Sequence, residues 1–308
     1  MDTALIITQL LNGLQLGVLL FLLASGLTLV FGIMDFVNLA HGSLYMIGAF
    51  FCGWITLYTG SYVWGLALAL PAMVVVGLLI EFGIIRFLYQ RDHLDQVLAT
   101  FGLILCFDTL VQIVFGTEGI NVPLPDWLAG QVTLFGTIVF PTFRLLIIGS
   151  GLLVAAGLYA LVNHTKIGML IRAGASNRTM VSALGVNIQL LFAMIFALGA
   201  VLAGLAGMLI SPITEASIGM GNEIIILAFV VIIVGGIGSI KGAFIAAMIV
   251  GLIDTMGRSF LDDIFKIFMS SNAAETSAPA VSAMLIYILM AVILAFRPQG
   301  LFPPKARA

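Results

Sequence analysis

Charge is what this chain has least of: only 8% of its 308 residues are Asp, Glu, Lys or Arg, against about 25% in an ordinary soluble domain. With 62% of residues apolar and a mean hydropathy of +1.22, that shortage excludes a soluble globular protein. Cysteine is equally scarce. Cys52 and Cys106, both inside apolar runs, offer neither a disulfide framework nor a thiolate metal site, and read as small buried apolar residues. The three histidines, His41, His93 and His164, fall in three separate segments. No His/Cys/Asp/Glu cluster has metal-ligand spacing, no nucleophile motif occurs, and no Gly-x-x-x-x-Gly-Lys-Ser/Thr loop is present. The chain is therefore not expected to be an enzyme, to carry a metal or cofactor, or to bind ATP itself. A net charge of −2 without a basic stripe argues against nucleic acid as a partner. No positive n-region follows Met1, and the first Lys or Arg is Arg86, so the first apolar run is expected to remain in the protein.

What is there is apolar length. Residues 3–34, 36–80, 179–214 and 276–296 contain no charged side chain, and a helix crossing a lipid bilayer needs about 20 apolar residues. Lipid admits such segments only as helices or closed barrels. The expected fold is all-α: one polytopic transmembrane helical bundle of about 8–10 spans, forming a single domain over residues 1–308. Breaks at charges and Gly/Pro clusters place spans near 5–32, 39–58, 62–85, 95–116, 143–163, 188–211, 224–235, 243–257 and 280–296. The segments 224–235 and 243–257 are short and read as half-helices about Gly235-Gly236-Ile237-Gly238-Ser239, a break expected at membrane depth and hence a pathway element.

Nine crossings with an outer N-terminus put Arg86, Arg91, Lys166, Arg172, Arg178, Lys241, Arg297, Lys305 and Arg307 on the cytoplasmic side, leaving Arg144, Arg258 and Lys266 outside. Small residues at four-residue spacing, Gly199/Ala203/Gly207 and Ala243/Ala247/Gly251, mark close helix contacts, as do Gly13 and Gly17.

Four features could carry function. Phe36-Val37-Asn38-Leu39-Ala40-His41-Gly42-Ser43 interrupts an apolar stretch, and a helix starting there would offer free N–H groups that attract carboxylates; alternatively Asn38 and His41 tie down a kink. Asp108 lies within a span, as a pathway residue or as a polar group satisfied inside the bundle. Glu81 is expected to pair with Arg86 or Arg91. On the inner side, residues 166–187 include a short helix with Ser176 as N-cap, Gly185 as stop, and Met180, Val181 and Leu184 on one face, flanked by Arg172, Asn177 and Arg178. It reads as a docking surface for a peripheral subunit or as a solvated connection. Val30-Phe31-Gly32-Ile33 also loosely matches Val234-Gly235-Gly236-Ile237.

Several of these pieces together resemble the permease subunits of branched-chain amino acid ABC importers. The resemblance rests on Gly26 to Met34, Asn38 to Met46 with Gly48-Ala49, Glu81 with Arg86 and Tyr89, Leu98 to Leu103, Phe115-Gly116, Gly235 to Ser239, and Arg297-Pro298-Gln299-Gly300-Leu301-Phe302. It implies the ABC importer permease fold in a bacterial inner membrane, a second related permease, two cytoplasmic ATPases and an extracytoplasmic solute-binding protein. The small-molecule solute it implies is a branched-chain or other neutral amino acid, with urea, short amides or aromatic acids as alternatives; a gradient-driven transporter or channel is the rival outside the family. Residues 171–187 match the family's ATPase-coupling region in position, although Ser176-Asn177-Arg178 stands where an acidic residue is frequent, and 262–278 is longer than typical.

Overall fold

The computed structural model describes residues 3–134, 136 and 138–302, apart from the side chain of Arg178. Lys305 and Arg307 of the inner-side count lie outside the described residues.

Long Leu/Ile/Val/Ala runs satisfy their backbone groups internally by becoming helices. In order these are α1 (Thr3–Leu29), α2 (His41–Thr59), α3 (Tyr62–Ile80), α4 (His93–Phe115), α5 (Thr142–His164), α6 (Lys166–Ser176), α7 (Arg178–Ala183), α8 (Ile188–Thr214), α9 (Met220–Gly235), α10 (Ile240–Phe265) and α11 (Ser271–Phe296). Seven of the described helices are long and apolar enough to cross a membrane. With α2 and the shorter α9, nine helices sit in the bundle among the described residues. Among the described residues one pair of strands, β1 (Gln131–Leu134) and β2 (Ile138–Pro141), is joined antiparallel between α4 and α5.

α1 and α8 are mostly buried, while α3, α4, α5 and α11 turn most of their surface outward. The small-residue stripes account for this. Gly13 and Gly17 of α1 lie on Leu252 and Ala247 of α10, Gly251 of α10 lies on Gly13 and Gly17, Gly26 meets Gly199 of α8, and Gly207 meets Tyr45 of α2. A Cβ at any of these would meet backbone atoms, so the helices approach as closely as their main chains permit. Cys52 is buried as expected, but Cys106 is exposed on the outward face of α4.

The helices alternate in direction. The α3–α4 connection, α6 and α7, the α9–α10 turn and residues 297–302 gather at the end richer in Lys and Arg, which the positive-inside rule assigns to the cytoplasm. At the other end an isolated bridge joins Ile120 to Ala216, and Arg144 donates to Asn12.

Two expectations need correction here. Residues 243–257 are not a half-helix: α10 runs 26 residues as a full span. The glycine break is not at membrane depth but is a tight turn at the basic end. There Gly236 and Gly238 adopt φ of 103° and 84°, and the chain's last described residues cover it, with Leu301 N donating to Val234 O and Phe302 N to Gly235 O. Residues 262–278 are mostly helical extensions of α10 and α11, tied where they meet by Lys266, which bonds Asp262 (2.6 Å) and pairs with Glu275 (3.4 Å); those bonds, the one to Asp262 first, raise the Lys266 pKa.

Candidate functional site

The site begins where α1 ends. Its last turn widens into a π-helical turn, Val30–Met34, and Asp35 takes a left-handed conformation (φ 53°). The chain then doubles back along the bundle. Its backbone is satisfied from α4, Val37 N donating to Gln96 Oε1 (3.1 Å) and Leu39 N to Thr100 Oγ1 (3.2 Å). By the time α2 starts, His41 lies beside Leu23, donating from Nε2 to the Leu23 carbonyl at 3.1 Å. Leu23 precedes the end of the π turn at Met34 by three helical turns, so α2 starts about 16 Å inside the bundle from its inner end.

The N-terminus of a second helix meets α2 at that depth. Gly42 packs against the Gly221 main chain and Gly221 against Gly42, so the first turns of α2 and α9 abut, and the first turn of a helix is where N–H groups lack intrahelical partners. α2 runs outward from this junction and α9 inward. Ala40 supplies no side-chain cap to α2. Around the junction Asn38, His41 and Ser43 are each 1% exposed. Both polar atoms of Asn38, Nδ1 of His41 and Oγ of Ser43 find no hydrogen-bond partner among the described residues. Buried polar atoms are ordinarily bonded, and a group of them at two helix N-termini is a polar station inside an apolar bundle.

The expected pathway residues therefore separate into two groups. Asn38, His41, Gly42 and Ser43 assemble at the junction. Asp108 reaches its edge, accepting from Nδ2 of Asn222 (3.2 Å) in the first turn of α9. Gly235, Gly236, Gly238 and Ser239 lie at the opposite end of α9, about 24 Å away for its 16 residues. Of these, Gly238 and Ser239 border an inner cleft of about 1240 Å³, which Asp35, Arg172, Ser176 and Lys241 also line. Gly32 rests on Gly238, the residue that follows the later of the two loosely similar segments.

The inner segment also differs in detail. Ser176 is not an N-cap: α6 is capped by Thr165, whose hydroxyl accepts from Gly168 N, and runs through Ser176. Asn177 is extended and caps α7, its Oδ1 accepting from Met180 N at 2.9 Å. Gly185 does end the segment, at φ 86°. Met180, Val181 and Leu184 do not share one face. Val181 is 6% exposed, while Met180 and Leu184, four residues apart, are 58% and 77% exposed. Arg172 faces the inner cleft; the side chain of Arg178 lies outside the described residues.

Behind this segment sits a buried polar knot. Glu81, fully buried at the start of a second π turn (Glu81–Ile85), pairs with Arg86 rather than Arg91 (3.2 Å) and accepts from Tyr89 Oη at 2.7 Å. Burial first, and the bond to Glu81 second, push the Tyr89 pKa upward, so the phenol keeps its proton and donates. The Tyr89 ring stands edge-on to Phe36 of the doubling-back segment and to Phe192 at the start of α8. Replacing Tyr89 with Phe removes a hydrogen bond to a charged group, and is expected to lower unfolding free energy by about 1.5–3 kcal/mol. Thermal unfolding of the purified chain checks this; an unchanged midpoint would contradict the role of the knot.

The sequence did not link Arg258 to Asp254, although an opposite-charge pair four residues apart in a charge-poor helix is readable. Arg258 Nε donates to both carboxylate oxygens of the 5%-exposed Asp254, at 2.9 and 3.0 Å. Among the described residues no group of three His, Cys, Asp or Glu could hold a metal ion.

Comparison with known proteins bears on this geometry. Residues 9–294 match the family model described as branched-chain amino acid transport system / permease component. The chain is 28% identical over 306 residues to the high-affinity branched-chain amino acid transport system permease protein BraD of Pseudomonas aeruginosa, covering 95% of this chain and 94% of that one. It is 27% identical over 282 residues to the permease protein LivH of Escherichia coli, covering 84% and 88%. The probable branched-chain amino acid transport permease protein LivH of Methanocaldococcus jannaschii matches at 27% over 291 residues, covering 92% and 88%. No solved structure gives a significant match.

Proposed function

The chain belongs to the family of branched-chain amino acid transport system permease components, and from that premise we propose that its two ends do different work: the α2/α9 junction passes solute, and α6 with α7 couples it to ATP hydrolysis. It is a multi-pass inner-membrane permease subunit and not itself an enzyme. Its solute is a branched-chain or other neutral amino acid. It forms one permease domain, pairs with a second related permease, binds two cytoplasmic ATPases, and receives solute from an extracytoplasmic binding protein.

The observation that carries this reading is the packing between the inner segment and the π turn and doubling-back segment that lead into the junction. Gly174 of α6 lies against Leu191 of α8 and Ile33 of the first π turn. The Phe36, Tyr89 and Phe192 rings join the doubling-back segment to α8. A push on α6 and α7 from outside thus reaches, through packed groups, the segment that carries Asn38 and the start of α2. π turns lengthen a helix locally at the cost of regular bonding and recur at functional sites; here they lie at the inner ends of α1 and α3. Alternating access follows if ATPase closure shifts α6 and α7, moves the doubling-back segment, and changes which side of the junction is open.

The experiment that tests the solute is a thermal-shift screen of the associated binding protein against leucine, isoleucine, valine, other neutral amino acids, urea, short amides and aromatic acids. Stabilisation by branched-chain or neutral amino acids is expected. A response only to urea, amides or aromatic acids would overturn the assignment.

A further inference from the structure

At the outer end, opposite α6 and α7, a second cleft of about 600 Å³ opens directly above the junction: Gly219 and Met220, the residues leading into Gly221, line it together with Tyr45 of α2. Its size falls in the usual range for small-molecule sites. Leu16, Leu19, Ile224, Leu227 and Ile286 form apolar wall. Two charged side chains of opposite sign line it, Glu223 in the first turn of α9 and Arg258 of α10.

Neither charge is neutralised by the other, since no pair forms between them within 4.0 Å. Glu223 is exposed and makes no hydrogen bond or ion pair with a described residue. Arg258 is held by Asp254 through Nε alone, which fixes the guanidinium and leaves both terminal nitrogens for a ligand carboxylate. An apolar wall with one free carboxylate and one positioned guanidinium matches a molecule carrying an ammonium, a carboxylate and an aliphatic side chain. Urea and amides would leave both charges unmatched, and an aromatic acid would leave Glu223 unmatched.

We propose that this outer cleft is the receiving site for a zwitterionic aliphatic amino acid, with Arg258 binding its carboxylate and Glu223 its ammonium, before it enters the α2/α9 junction. This rests on the functional reading above and deepens it, because it assigns recognition to the permease as well as to the binding protein.

The test uses the assembled importer in nanodiscs without its binding protein. Equilibrium binding is measured for leucine, for isoamylamine (leucine without its carboxylate) and for 4-methylpentanoate (leucine without its ammonium). Glu223→Gln is expected to weaken leucine and isoamylamine at least tenfold and leave 4-methylpentanoate unchanged. The double change Asp254→Asn with Arg258→Gln, which avoids leaving a buried carboxylate unpaired, is expected to weaken leucine and 4-methylpentanoate and leave isoamylamine unchanged. Arg258→Lys retains part of the affinity. Wild-type affinities in both variants, equal loss of all three ligands, or weakened binding-protein docking with unchanged leucine affinity would overturn the inference. ATP-driven uptake by the wild-type importer with its binding protein separates the two levels. Leucine uptake without leucine binding in the cleft sinks the inference alone; failure to import any amino acid sinks the functional reading and the inference with it.

Discussion

Replacing Gly42 or Gly221 with valine is expected to abolish transport. At each position the new Cβ meets the backbone of the other glycine's helix rather than the end of a movable side chain, so the collision is relieved only by separating α2 from α9. Overpacking a well-filled interior costs about 1–3 kcal/mol, and more where backbone must move. At about 3 kcal/mol the junction as described would be populated roughly a hundredfold less. Uptake in cells, normalised to the amount of protein in the membrane, reads the effect. Gly102→Ala is the control, because a Cβ at Gly102 meets nothing within 4 Å; it should transport normally. Normal uptake by Gly42→Val would remove the junction from the pathway.

The second large effect belongs to α7. Met180→Asp with Leu184→Asp places two charges on the face that α7 leaves exposed, so folding of the chain should be unchanged. Burying such a side chain in a partner's groove contributes roughly 1.5–3 kcal/mol, and an unpaired buried carboxylate costs more. Both ATPases should be lost on purification and uptake should fall more than tenfold, by that arithmetic about 1.4 kcal/mol or more. Val181→Asp separates docking from folding: Val181 is buried within the chain, so that change should lower the amount of folded protein. Retention of the ATPases by the Met180/Leu184 variant would exclude α7 as the docking element.

The spans were readable because uncharged runs of sufficient length have one use in lipid, and the stripes of small residues marked close-packed faces; which helices meet there, α1 with α10 and α8 with α2, only the structure shows. The depth of the glycine break was not readable. Glycines at positive φ make the same turn at the surface or inside a bundle, and what places this one is Leu301 and Phe302 bonding to Val234 and Gly235 from far along the chain. The cap of α7 was misplaced by one residue because Ser and Asn both cap helices well; α6, started by Thr165, runs on through Ser176 and leaves the cap to Asn177. Asn38, His41 and Ser43 were visible as polar residues in an apolar stretch. Their meeting with Gly221 was not, since nothing local in 36–43 encodes where α9 begins.

The division of labour between junction and coupling segment is tested most directly by uptake of radiolabelled leucine into proteoliposomes holding both permeases and both ATPases, with leucine-loaded binding protein outside. Accumulation is expected only with hydrolysable ATP at the ATPase side, and is expected to be lost in the Met180→Asp, Leu184→Asp variant. Equal accumulation with a non-hydrolysable analogue, or driven by an imposed proton or sodium gradient without ATP, would contradict it.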